Sequence, residues 1–178
     1  MLVLKNRNQK IAVSAMFAAI CCVATMIIRI PTFGTNGYVN IGDAVVLLCA
    51  WLIGGAYGML AAGIGSALAD LLAGYASYVP GTFVIKALMA IAAYLIFRVL
   101  SNTKINKTVA FVISGLVAET VMVAGYFLYE AFALGYGLAA AASIPSNISQ
   151  GATCLVLGVI VVRVMESNRV LKKINVIQ

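Results

Sequence analysis

The stretch Gly37-Tyr-Val-Asn-Ile-Gly-Asp43 brings polar and acidic side chains into a chain that is otherwise strongly apolar. A second polar stretch, from Asp70 to Lys86, contains Gly74-Tyr-Ala-Ser-Tyr-Val-Pro-Gly81 between two hydrophobic segments. Polar and ionisable groups at the edge of lipid cost free energy, so they usually mark a binding site or a transport pathway. We therefore expect these two stretches to meet in a pocket that opens to the outside.

The composition is that of an integral membrane protein. The 178 residues are 63% hydrophobic and 10% charged, with a mean hydropathy of +1.07. A soluble domain is about half apolar and about a quarter charged, and the excess here is too large for one soluble core. We therefore expect an all-α integral membrane protein in which residues 1–178 form a single domain.

The formal net charge of +7 reflects the topology of the chain in the membrane. On a soluble protein such a charge would suggest a nucleic-acid partner, but here the basic residues cluster beside apolar segments, as they do at cytoplasmic helix ends. We therefore expect no nucleic-acid partner. The clusters are Lys5, Arg7 and Lys10; Arg98, Lys104 and Lys107; and Arg163, Arg169, Lys172 and Lys173.

Six transmembrane helices, with both termini in the cytoplasm, keep the three clusters on one side of the membrane. A span needs roughly 20 apolar residues, or fewer where neighbours bury its ends. The expected helices cover 11–30, 40–53, 59–72, 82–100, 108–131 and 145–165. The first could pass for a signal peptide, but its length and the spans after it favour a retained helix. Loops 32–39, 73–81 and 132–143 should lie outside.

The cysteines and the absence of histidine limit the chemistry of the chain. The four cysteines lie within apolar runs, without metal-ligand spacing, and there is no His. A His-ligated zinc site and a Ser-His-Asp triad are therefore excluded. We expect no metal, no cofactor and no catalytic residues.

Several short motifs, in a fixed order, resemble a known family of membrane proteins. They are Asn40-Ile-Gly-Asp-Ala44, Gly54-Gly-Ala-Tyr-Gly58, Gly63-Ile-Gly-Ser-Ala-Leu-Ala-Asp70, then Gly74-Tyr75, Pro80 and Ile85-Lys86. Their order and spacing resemble the substrate-binding S components of energy-coupling factor (ECF) vitamin transporters. The branch that is most similar is called riboflavin-type and includes proposed hydroxymethylpyrimidine and pyridoxine carriers.

This resemblance implies a function without bond chemistry. An S component of a prokaryotic plasma membrane binds its vitamin from outside and docks onto a transmembrane coupling subunit that carries two ATPases. Docking uses small residues of the first helix, here the A-x-x-x-A formed by Ala15 and Ala19. The chain has no G-x-x-x-x-G-K-[ST] phosphate loop, so ATP hydrolysis is expected in the partner subunits. Pyridoxine or a hydroxymethylpyrimidine is favoured over riboflavin, by resemblance alone.

The candidate binding residues are polar or aromatic and lie mostly in the outer half of the expected bundle. Glu119, Tyr126 and Glu130 share one face of the fifth helix, at i, i+7 and i+11. The ligand's charge stays open, because acids and bases are both present. The full set is Asn36, Tyr38, Asn40, Asp70, Tyr75, Tyr78, Lys86, Glu119, Tyr126, Glu130, Asn147 and Gln150.

Structural roles compete with binding for several of these residues. Asp43 or Asp70 could pair with Lys86 or Arg29 to join helix ends, since charges within membranes usually pair. Asp43 could also offset the dipole of its own helix. The outer tyrosines could belong to the aromatic belt at the lipid interface.

Three other classes of protein compete with an S component. An ion-coupled secondary transporter would also use buried carboxylates, but it usually shows an internal repeat, and none is evident. An intramembrane aspartyl protease would need two facing aspartates, and Asn40 stands where its Gly-x-Gly-Asp motif begins. A purely structural membrane subunit would leave the cluster of outer polar residues unexplained.

Overall fold

The protein is an all-α membrane protein, seen here in a computed structural model that describes residues 2, 4, 6–32 and 35–167. Within these residues, five helices are long and apolar enough to cross a membrane, and a sixth is shorter. The sequence therefore placed each helix correctly to within a few residues. The helices are α1 (Arg7–Ile27), α2 (Gly42–Leu48), α3 (Gly55–Leu72), α4 (Val79–Ser101), α5 (Lys107–Leu128) and α6 (Ile144–Ser167).

Helix α2 is short because its neighbours surround it. Every residue of α2 and of the π-helical turn that extends it, Cys49–Ile53, is buried. A helix that is apolar on all sides belongs in the interior of a protein. The Trp51 indole N–H donates to Ser114 Oγ at 3.0 Å, which anchors the end of this segment to α5. Gly54 (φ 68°) then turns the chain directly into α3, so the second and third helices are separate, as expected.

The described members of the three basic clusters lie at one end of the bundle. Lys107, at the start of α5, and Arg163, near the end of α6, both pair with Glu166. Lys10 lies over the Tyr57 ring at the start of α3, at 5.9 Å. This arrangement agrees with the even number of crossings expected between clusters. Lys5, Arg169, Lys172 and Lys173 lie outside the described residues.

The opposite end of the bundle is formed by segments expected as loops, and these contain short strands and helical turns that the sequence did not predict. Strands β1 (Ile30–Pro31) and β2 (Tyr38–Val39) form a small antiparallel pair between α1 and α2. After α5 the chain continues as a π-helical turn, Tyr129–Ala133, and a 3-10 helix, Gly137–Ser143. These segments bring polar side chains over the ends of α3, α4 and α6.

Candidate functional site: a polar cavity at the β-hairpin end

A polar cavity lies beneath the β1–β2 hairpin, enclosed by α3, α4, α5 and α6. Its volume is about 20 Å³, which is room for a single water molecule. A ligand the size of a vitamin can therefore enter only if the walls move apart. The cavity is lined by Thr32, Gly37, Tyr38, Asn40, Asp70, Tyr78, Thr82, Tyr126, Glu130 and Asn147.

Tyr38 and Asp70 close one side of the cavity. The Tyr38 hydroxyl donates to Asp70 Oδ1 at 2.6 Å, and the Tyr38 and Tyr75 rings pack 4.6 Å apart. Burial, and then the nearby Asp70 carboxylate, raise the pKa of Tyr38 above its ordinary value. The hydroxyl therefore keeps its proton and remains a donor. This contact ties the hairpin to the last turn of α3.

Glu130 closes the other side and is 2% exposed. Its Oε1 accepts a hydrogen bond from the Tyr78 hydroxyl at 3.0 Å, and its Oε2 accepts one from Ser143 Oγ at 2.6 Å. Burial and the neighbouring Glu130 carboxylate raise the pKa of Tyr78 above its ordinary value. The start of α4 and the 3-10 helix are thus both joined to Glu130 through hydroxyl groups.

Asn147 lies in a buried position, and its side-chain amide has no hydrogen-bond partner among the described residues. It lies in the first turns of α6, is 5% exposed and lines the cavity. Its amide makes no hydrogen bond to any residue that the structure describes. Because this amide reaches the cavity without a partner among the described residues, it is suited to bind a ligand or water.

A buried ion pair lies behind the cavity wall. Lys86 Nζ is 2.5 Å from Asp43 Oδ1, and both side chains are almost fully buried. The Gln150 amide donates to Asp43 Oδ2 at 2.5 Å, while its Oε1 accepts from the Asn40 backbone N–H at 2.7 Å. Lys86 also faces the Tyr126 ring at 5.0 Å. The ion-pair interpretation of Asp43 is therefore confirmed, and this network holds Asn40 against the cavity.

The structure brings together most, but not all, of the residues singled out in the sequence. Tyr38, Asn40, Asp70, Tyr78, Tyr126, Glu130 and Asn147 line the cavity. Tyr75 packs on its rim, Lys86 and Gln150 lie behind its wall, and Asn36 and Arg29 are exposed. The sequence reasoning missed Thr32, Gly37, Thr82 and Ser143.

One of these missed residues, Thr82, could have been identified from its spacing in the sequence. Thr82 lies one turn before Lys86 on the same face of α4, and its hydroxyl is 3.0 Å from that of Tyr126. A threonine at that spacing from a membrane lysine could have been chosen from sequence. Ser143 could not, because it acts only through the fold of the connection between α5 and α6.

Glu119 lies apart from the cavity, in the middle of α5. Its carboxyl is 6% exposed, and neither oxygen has a partner among the described residues. It packs against Gly151 of α6, where an added Cβ would lie 3.1 Å from Glu119 Oε2. About 10 Å of helix separates it from Tyr126, so the shared face does not bring it to the cavity.

Replacing Glu119 with Met should raise the stability of the protein by about 1 kcal/mol. The substitution removes an unsatisfied buried polar group and roughly keeps the side-chain volume. Thermal unfolding in detergent would measure the change, with Glu166→Met, which breaks ion pairs at the basic end, as the control that should not gain stability. A lower unfolding temperature for Glu119→Met would contradict the expectation. A loss of ligand affinity in Glu119→Met would show that Glu119 contributes to ligand binding.

A groove between α1 and α3 lies on the outer surface of the bundle. Ala15 and Ala19 are exposed there, beside Ala18 and Leu60, and the walls are almost entirely apolar. The hydroxyl of Ser14, at the base of the groove, is buried without a partner among the described residues. Ala15 and Ala19 are therefore accessible on the surface of the first helix and are not covered by other described residues.

These features define a multi-pass α-helical membrane protein with a narrow polar cavity at the end away from its basic clusters. The family model described as "ECF-type riboflavin transporter, S component" matches residues 5–167. The chain belongs to this family and is a substrate-binding subunit of the ECF type, which confirms the resemblance seen in its motifs.

A solved structure agrees with this assignment at the level of fold. A solved structure described as "Structure and mechanism of the S component of a bacterial ECF transporter" has a TM-score of 0.67, covering 91% of this chain and 98% of that chain at 19% identity. A Pyrococcus woesei protein described as "Uncharacterized protein in gap 3'region" is 48% identical over 64 residues. That match covers 36% of this chain and 43% of the relative's length.

Proposed function

We propose that this chain captures a single-ring, water-soluble vitamin or vitamin precursor, such as pyridoxine or a hydroxymethylpyrimidine, from outside a prokaryotic cell. It delivers the vitamin inward together with a transmembrane coupling subunit and two ATP-binding subunits in the plasma membrane. Both termini face the cytoplasm and the cavity faces outward, an orientation supported by the basic residues at the opposite end of the bundle.

The observation that carries this proposal is the Asn147 side chain, which has no partner among the described residues and lines a cavity together with tyrosines and carboxylates. Small-molecule sites combine aromatic walls with a few directed polar groups. Tyr38, Tyr78 and Tyr126 supply the aromatic walls. Asn147, Asp70 and Glu130 supply the directed groups.

Ligand entry replaces hydrogen bonds that now close the cavity. A ring that enters must separate Tyr38 from Asp70 or Tyr78 from Glu130, and its own polar groups can then take over the freed partners. The cavity has a volume of about 20 Å³. It would need to widen less to hold a single ring than to hold the three fused rings of riboflavin. The cavity size therefore favours the smaller vitamins.

The direct test is mass spectrometry of small molecules that co-purify with the detergent-solubilised chain, followed by equilibrium binding of the compound found. We expect binding without any ion gradient, and no net transport by the chain alone. Transport driven by an ion gradient in proteoliposomes that contain only this chain would instead establish a secondary transporter.

Asn147→Ala should weaken binding of that compound about tenfold, since one lost hydrogen bond of about 1–1.5 kcal/mol corresponds to that factor. Glu130→Ala should have at least the same effect. Asn102→Ala, at the basic end, is the matched control and should leave affinity unchanged. If both cavity variants bound normally while remaining folded, the site would have to lie elsewhere.

Ala15→Leu and Ala19→Leu should spare vitamin binding and impair uptake. The small side chains let a partner helix approach closely, and a leucine would hold that helix away. Uptake into cells that carry the complete transporter, with binding by the purified variant measured in parallel, tests the two effects separately. Leu128→Ala, on exposed α5 surface, serves as the control. Normal uptake by both Ala15→Leu and Ala19→Leu would show that this groove has no role in docking.

A further inference from the structure

The buried carboxylates near the cavity differ in whether a cationic side chain pairs with them. Asp43 has its own cation, because Lys86 pairs with it at 2.5 Å. Asp70 and Glu130 are as deeply buried, at 4% and 2% exposure, but no ion pair joins either of them to the described part of the chain. Charged groups within membranes usually pair, so these two carboxylates lack an expected partner.

No other cation within the described residues forms an ion pair with Asp70 or Glu130. The lining of the cavity contains no lysine or arginine. Lys86 lies near enough to Asp70 to interact with it electrostatically, but its ammonium group is bound to Asp43 and covered by the Tyr126 ring. Arg29 is exposed and forms no ion pair with the described residues.

The groups that do contact Asp70 and Glu130 are neutral hydroxyls. Tyr38 donates to Asp70, and Tyr78 and Ser143 donate to Glu130. Hydrogen bonds of this kind solvate the two carboxyl groups but bring no positive charge to them. The cavity therefore has an acidic lining that the protein solvates but does not neutralise.

Asn147 is an independent sign that a ligand belongs in this cavity. Its amide is 5% exposed, unpartnered within the described residues and part of the same lining. Three tyrosine rings also border the space, and an aromatic face attracts a cation. A bound cation would thus be contacted by both carboxylates and by aromatic faces.

We propose that the natural ligand is a cation, namely a protonated or quaternary nitrogen heterocycle with hydroxyl or amino groups, and that the cavity rejects anionic forms such as phosphate esters. This inference rests on the proposed function, because it assigns a charge to the vitamin bound in the same cavity. The ring nitrogen supplies the positive charge that Asp70 and Glu130 lack, and Asn147 pairs with a polar substituent.

The test uses matched probes at one pH, so that titration of the protein does not interfere. The probes are pyridoxine; its ring-hydroxyl methyl ether methylated on the ring nitrogen, which is a permanent cation because no acidic ring hydroxyl remains; and the benzene analogue of that ether, in which a ring carbon replaces the charged nitrogen. The phosphate ester of pyridoxine and hydroxymethylpyrimidine with its phosphate ester complete the set. We expect the charged analogue to bind at least about tenfold more tightly than the benzene analogue, and each phosphate ester at least about tenfold more weakly than its parent alcohol.

Charge-removing variants assign this preference to the two carboxylates. Asp70→Asn and Glu130→Gln keep the shape and remove the charge, and each should reduce the preference for the charged analogue about tenfold. Glu166→Gln removes a carboxylate at the basic end and should not change it. Equal binding of the benzene and charged analogues, tight binding of a phosphate ester, or an unchanged preference in both cavity variants would overturn the inference.

The outcomes separate this inference from the proposed function. If the benzene analogue binds as well as the charged one and Asn147→Ala weakens both, the vitamin site stands and charge selection fails. A co-purified ligand without a positively charged or protonatable nitrogen would also show that charge selection fails while the vitamin site stands. If none of the probes binds and nothing co-purifies with the chain, both proposals fail.

Discussion

Replacing Lys86 with Met is expected to destabilise the protein by about 3–5 kcal/mol, the usual cost of breaking a buried ion pair from one side. The Asp43 carboxylate would lose its counter-ion in an interior where its side chain is completely buried. Only the Gln150 amide would remain to solvate it. The loss should appear as a lower unfolding temperature in detergent and a smaller folded yield.

The double variant Asp43→Asn, Lys86→Met tests whether charge imbalance is the cause. The asparagine keeps an acceptor for the Gln150 amide, and neither substituted position then carries a charge. We expect most of the lost stability to return, because a neutral replacement for a buried ion pair is often tolerated. Continued instability in the double variant would mean that the Lys86 side chain stabilises the fold through packing or through Tyr126 instead.

Replacing Gly65 with Val is expected to cost about 3 kcal/mol, at the upper end of the range for overpacking. A Cβ at this position of α3 would lie 2.4 Å from the backbone oxygen of Ala18 and 2.8 Å from Cys21 Cβ, both on α1. A backbone atom cannot turn aside as a flexible side chain can. The two helices would have to separate.

Ala56→Val provides the matched control for Gly65→Val. Ala56 lies in the first turn of the same helix and is exposed, so added methyl groups meet no neighbouring helix. Thermal unfolding of both variants should show a large loss for Gly65→Val and little change for Ala56→Val. Similar unfolding temperatures would show that α1 and α3 can move apart at small cost.

The ion pair links the stability of the core to the shape of the site. Gln150 contacts Asp43 through its amide nitrogen and the Asn40 backbone through its oxygen. Asn40 in turn lines the cavity and accepts a hydrogen bond from the Gly42 N–H at 2.8 Å. A side chain that never touches the ligand can therefore still affect binding, by holding the segment between β2 and α2 in place.

Helical periodicity predicted that Glu119 and Glu130 share a face of α5, but it did not predict their different surroundings. Periodicity correctly put both residues on one side of α5, but it carried no information about depth or about the packing partner. Gly151 gives Glu119 its space deep in the bundle, whereas the π-helical turn and the 3-10 helix enclose Glu130 near the cavity. The roles of the two carboxyls differ because their neighbours come from different parts of the chain.

The amino-acid sequence alone determined the membrane class, the positions of the helices and the family. Long apolar segments, basic clusters and motif order are local properties, and each follows from the transfer of side chains and backbone into lipid. Tertiary structure alone decided which acids are neutralised: Lys86 contacts Asp43 and leaves Asp70 and Glu130 to neutral hydroxyls. That choice depends on distances of a few ångströms between α2, α3, α4 and α5, because Coulomb and hydrogen-bond energies fall steeply with separation.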